Sequence, residues 1–202
     1  MRTRRLGVSL SVGLLVAGLA AAQDKSAEKA APAPMDEKAA MEAMAKAATP
    51  GDAHKKLEPL VGTFDAKVTM WMDPSKPPQE SAGTAQTSWV LGNRFLETKY
   101  DGTFMGQPFS GIGYTGYDNV TKKYVGTWMD TMGTGMMLSS GSMSGKVMTT
   151  TATMSDPMTG KVAHATEKFT IVDNDHNKME MWDKLPDGKS VKVMEINYSR
   201  KK

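Results

Sequence analysis

The sequence predicts an all-β protein: one antiparallel up-and-down β-barrel of about ten strands, with a short N-terminal helix plugging one end. Three observations predict it. From Thr63 onward apolar and polar residues alternate, and turn residues recur at short intervals with no long helical stretch between them. A sheet of that many hairpin-linked strands curls, and closing on itself removes its edges. Glycines such as Gly111, Gly113, Gly126 and Gly141 fall within the central strands, where they offer the bends that a barrel needs.

The elements follow in chain order. Arg2, Arg4 and Arg5 precede an apolar run over residues 6–19, and Ala20-Ala21-Ala22 supplies small residues before Gln23. This is the layout of a secretory signal peptide over residues 1–22. The run is shorter than the ~20 apolar residues that span a bilayer, and no Cys follows the cleavage site to take a lipid. Loss of the leader leaves twenty-two basic against twenty-two acidic residues. The mature chain is formally neutral, so no basic field for nucleic acid or anionic lipid is expected. With no cysteine there are no disulfides, and the core alone must supply stability.

Residues 23–50 form a tether rich in Ala, Lys, Glu and Pro, which cannot bury enough apolar area to fold by itself. Strong helix formers over residues 35–48 predict an exposed helix there, ended by Thr49-Pro50-Gly51. The barrel domain takes residues 51–202. Asp52 caps a short helix over 53–60, with Leu57, Leu60 and Val61 on one side. Strands are expected over 63–72, 81–91, 94–103, 107–117, 123–130, 135–145, 146–155, 162–172, 178–185 and 189–200. Gly92-Asn93, Gly145-Lys146 and Pro186-Asp187-Gly188 suit tight hairpins between them.

Several segments, taken in order, carry a family resemblance. They include Leu60-Val61-Gly62-Thr63-Phe64, Leu91-Gly92-Asn93-Arg94-Phe95-Leu96, Gly113-Tyr114-Thr115-Gly116-Tyr117-Asp118-Asn119, Lys123-Tyr124-Val125-Gly126-Thr127-Trp128-Met129-Asp130 and Val193-Met194-Glu195-Ile196-Asn197-Tyr198-Ser199-Arg200. This set resembles the bacterial domain-of-unknown-function 1579 family, from about His54 to Lys201. The resemblance implies a lipocalin-like, calycin-type barrel and no particular activity. Gly62-Thr63-Phe64 is similar to the Gly-x-Trp start of lipocalins, with Phe64 in place of the Trp. That likeness implies that Arg200, from the last strand, stacks on Phe64 and closes the barrel base.

The candidate ligand-binding residues are the aromatic and charged ones in strands. Pockets are lined by aromatic side chains with a few polar groups, so Trp89, Tyr114 and Trp128 are expected in a cavity, with Arg94, Glu97, Asp130 and Glu195 as its polar members. Trp128 and Asp130 share a strand face. Glu195 or Asp130 would serve as general base if the same cavity were catalytic. Methionine is abundant. Thioethers bind Cu(I), which gives an envelope copper or oxidative-stress protein as an alternative, but Met in strands fills cores and adapts to apolar ligands. His164 is the only His within a predicted strand and so the only strand-borne haem ligand. No nucleophilic, zinc or calcium motif is complete, and no cofactor is expected. The sequence thus predicts an exported, periplasmic or secreted, monomeric or dimeric protein. It would bind a small apolar or amphipathic molecule, with no nucleic-acid partner and no stable membrane insertion once the leader is removed.

Overall fold

The computed structural model describes residues 36–73, 75–185 and 187–202. The leader, the tether as far as residue 35, Pro74 in the first hairpin loop and Pro186 in the last lie outside the described residues. Ten strands form one closed antiparallel barrel: β1 (Gly62–Met70), β2 (Gln79–Val90), β3 (Phe95–Phe104), β4 (Gln107–Asp118), β5 (Lys123–Asp130), β6 (Met137–Ser144), β7 (Val147–Asp156), β8 (Lys161–Ile171), β9 (His176–Lys184) and β10 (Ser190–Arg200). Each strand pairs with its chain neighbours, and β10 returns to pair with β1. The expected strands are all present, with ends moved by a residue or two.

Three helical pieces precede the barrel. Helix α1 (Glu37–Ala48) buries no residue, because its apolar face is mostly Ala. It is tied down only at its end, where the Asn119 amide donates to the carbonyls of Ala47 and Thr49 at 3.0 and 2.8 Å. The single helix expected over 53–60 is instead two pieces, α2 (Asp52–Lys55) and a 3-10 turn (Glu58–Leu60). Pro59 has no N–H, and its ring clashes with the carbonyl four residues back, so the α-ladder cannot run through it. Both pieces still plug the barrel. Leu57 is 1% exposed and packs with Leu96 and Tyr124, with Leu60, Val61 and Trp89 around them. His54 is buried beside them, its Nδ1 accepting from the Gly51 N–H and its ring edge-on to Tyr117.

Arg200 lies over Phe64, its guanidinium carbon 4.5 Å from the ring centroid. The guanidinium also donates to the carbonyls of Val61, Pro59 and Asn174 at 2.7, 3.0 and 2.8 Å. The last strand therefore holds the plug onto the first. Gly62, at φ +134°, leaves the space that the guanidinium fills; a Cβ there would sit 2.2 Å from Arg200 Nη1.

The register fixes which residues face inward. Phe64, Ala66, Val68 and Met70 of β1 point in, and cross-strand partners share their face. Ala66, Val68, Ala85, Tyr100 and Ile196 form the middle layer, with Phe109, Trp128, Met179, Met194 and Tyr198 packed on it. Strand glycines, expected mainly as bends, here also serve as slots for rings. A Cβ on Gly111 or Gly113 would lie 2.3 or 2.8 Å from the Trp128 indole, and one on Gly83 would lie 2.3 Å from the Tyr100 hydroxyl.

Candidate functional site

The hairpin ladder sends alternate turns to opposite ends. The plug end carries the turns after β2, β4, β6 and β8. The other end carries those after β1, β3, β5, β7 and β9. The Gly92-Asn93 hairpin belongs to the plug end, whereas the turn after Asp130 lies at the open end.

The candidate residues divide by phase. Trp128 and Asp130 point inward, and the indole N–H donates to Asp130 Oδ2 at 2.9 Å. Asp130 Oδ1 takes the Met132 N–H, so this carboxylate orients the indole and the rim turn. Trp89 also points inward but lies at the base, where its N–H donates to Glu58 Oε2 at 2.7 Å.

The remaining candidates stand outside the barrel wall. Glu97 and Tyr114 are cross-strand partners on the outer face, the phenol donating to Glu97 Oε1 at 2.9 Å with Lys99 3.2 Å away. The Tyr114 hydrogen bond, then Lys99, holds Glu97 below the usual carboxylate range. Arg94 lies in the plug-end turn and donates to the Leu91 carbonyl at 2.9 Å. Glu195 is on the outer face because it alternates with the inward Met194 and Ile196, and a β-bulge at Val193 shifts the phase of the residues before it. The bulge brings Lys192 and Glu195, three residues apart, onto one face, where they pair directly and Glu180 joins Lys192 at 3.3 Å. Lys192 lies within cation–π range of Trp71 and Trp182. Hydrogen bonding to Lys192 lowers the Glu195 carboxyl. The expected inward cluster of Arg94, Glu97 and Glu195 does not form, since the pleat puts Glu97 and Glu195 outside and Arg94 lies in the plug-end turn. His164 is likewise outward, against Thr153.

The interior has its own polar set, which the strand list had not singled out. Glu167 shares the inward phase of β8 with Ala165 and Phe169. Thr150 Oγ1 donates to its Oε2 at 2.9 Å, and Ser139 adds a second hydroxyl hydrogen bond. Burial pushes its carboxyl up, and the two hydroxyls offset only part of that. Tyr198, stacked on Phe169 at 5.9 Å, is held above the usual phenol range by burial, then by Tyr100 and the Glu167 charge. The missed signal was phase: Glu167 is the one acid in the apolar phase of β8, as Asn177 is a polar residue in the Met179 and Met181 phase of β9.

Between plug and middle layer lies an internal cavity of about 70 Å³. Leu60, Phe64, Leu96, Met148, Phe169 and Tyr198 supply most of its wall. Thr87, Thr98, Thr115 and Asn177 are its polar members. The Thr87 and Thr98 hydroxyls bond each other at 2.9 Å. Asn177 is 3% exposed, and its Oδ1 has no hydrogen-bond partner among the described residues. Among the described residues no three His, Asp or Glu side chains converge in a metal-holding group. Methionines line the interior as well: Met70, Met194 and Met181 are successive cross-strand partners toward the open end.

Fold and site together define a closed antiparallel barrel with a plugged base and a small, partly polar internal cavity. The chain belongs to the family described as Protein of unknown function (DUF1579), which matches residues 49–200. No curated protein matches it. Among solved structures it is similar to Rv2717c from M. tuberculosis, with 17% identity over 76% of this chain and 100% of that one, at a TM-score of 0.57. It also matches a redesigned β-barrel at 17% identity, over 73% of this chain and 96% of that one, with a TM-score of 0.41. At that identity the likeness to Rv2717c is one of fold.

Proposed function

We propose that the chain is exported through its leader and that the mature barrel takes up a small amphipathic molecule. The observation that carries this reading is the internal cavity of about 70 Å³, whose wall mixes apolar side chains with threonines and the unpartnered Asn177. An apolar cavity of roughly 150 Å³ admits benzene, so this one suits a molecule of a few heavy atoms. Met148 in its wall has the flexible thioether chain that adapts to a guest. The formal neutrality of the mature chain supports neither a nucleic-acid partner nor electrostatic membrane attachment.

Expression with the leader intact tests export: the mature N-terminus is expected at Gln23, outside the cytoplasm, and an uncleaved cytoplasmic product would refute it. Native mass spectrometry of protein purified without denaturation tests uptake. A small bound mass is expected, lost in Thr115→Leu, which fills the cavity. Wild type without any bound mass or saturable binding would end this reading. A second reading rests on Glu167, an inward acid whose carboxyl burial raises, as the carboxyl of a general acid or base is raised. Turnover lost in Glu167→Gln without loss of uptake would establish it.

A further inference from the structure

We infer that the molecule taken up is a small organic amine, bound as its ammonium ion, donating to Asn177 Oδ1 in the cavity with Glu167 as counter-charge. This rests on the reading of the barrel as a binding module.

Inside the barrel one acceptor lacks a donor and one carboxylate lacks a cation. Asn177 is 97% buried, faces the cavity and has its Oδ1 unpaired among the described residues. Glu167 receives two neutral hydroxyls and no cation. Glu167 lies just beyond the cavity wall, since it is the inward residue of β8 next to Phe169, which lines the cavity. The inward phase of the strands, among the described residues, holds Arg200 at the base and Lys161 at the rim, and no other Lys, Arg or His. Arg200 is already committed to three carbonyls and to Phe64. Lys161 is exposed and opposite Asp156 in the ladder. The site therefore needs a cation that it does not itself contain.

The ligand classes differ sharply against this wall. An ammonium brings three donors and one positive charge. It would meet the acceptor of Asn177, the field of Glu167 and the faces of Phe169 and Tyr198, which attract cations. A carboxylate of the same shape would meet the field of Glu167, with no uncommitted cation in the inward phase of the described strands to receive it. A neutral apolar molecule would leave Asn177 Oδ1 unpaired, and a neutral alcohol would satisfy Asn177 but gain nothing from Glu167.

Titration calorimetry with three probes of one size tests the inference: n-propylammonium, 1-propanol and propionate, each added to the leaderless protein at pH 7.5. Propylammonium is expected to bind at least about tenfold more tightly than the other two. Glu167→Gln is expected to lose about tenfold for the amine while its 1-propanol affinity is unchanged, which shows that the cavity is intact. Asn177→Leu should weaken both donors. Propionate or 1-propanol binding as tightly as the amine, or Glu167→Gln with undiminished amine affinity, overturns the inference. If 1-propanol binds and the amine does not, the amine fails while the binding module stands. If none of the three binds, both fall.

Discussion

Glu167 is the residue at which the fold opposes its own electrostatics. The titrating group that its charge reaches is Tyr198, neutral near pH 7 and raised by burial, which supplies no positive charge. Its folded-state pKa therefore lies above the unfolded value near 4.5. The sign follows. Below the unfolded value both states hold the proton. As pH rises, the unfolded chain ionises first, and stability is lost until the folded carboxyl also ionises. Glu167→Gln should thus unfold at higher urea than wild type at pH 8, with the gap closing below about pH 4.5; a gap constant with pH would refute this. A second residue-scale prediction concerns the Trp128 slot. Gly111→Ala should cost about 1–3 kcal/mol by overpacking, and much less when combined with Trp128→Leu, because the added methyl meets the indole. Urea midpoints in a double-mutant cycle give the coupling.

At the scale of elements, the plug and the N-terminal helix behave oppositely. The plug is joined to β10 through Arg200, whose loss strips the Val61 and Pro59 carbonyls of their donor. Arg200→Ala should destabilise by about 2–4 kcal/mol, read from the denaturant midpoint at unchanged slope. Helix α1 buries nothing and hangs on Asn119. Asn119→Ala should raise amide exchange across α1, while the barrel midpoint moves by no more than about 0.5 kcal/mol. The strands themselves were legible because turn residues and two-residue alternation are local signals. Where β10 takes its extra residue was not, since a bulge depends on how the partner strand fits. Lys192 passed to the outer face, beside Glu195, on that one insertion.

For the whole molecule, closure is the step that joins distant parts of the chain. Phe64 and Arg200, near opposite ends of the barrel domain, are ladder partners. Contacts of such long sequence separation slow folding, and refolding is expected in the range of milliseconds to seconds. Stopped-flow tryptophan fluorescence measures it, and a microsecond phase carrying the full amplitude would contradict it. Closure also decides what the interior contains. Ten strands sharing one inner face bring Phe169, Asn177 and Tyr198, from three strands, around one space, with Glu167 the next inward residue beyond Phe169.

By itself the sequence determined the ten-stranded antiparallel ladder, the plugged base, the Phe64–Arg200 partnership and the shared strand face of Trp128 and Asp130. Each rests on a local period, a turn signal or a family motif that survives without knowledge of the partners. Tertiary structure alone decided which polar residues the barrel encloses. Alternation assigns two faces but does not label them, and side-chain type argues for polar residues outside. Only the closed register turned the phase of Glu167 and Asn177 toward the interior and that of Glu97, Tyr114 and Glu195 toward solvent.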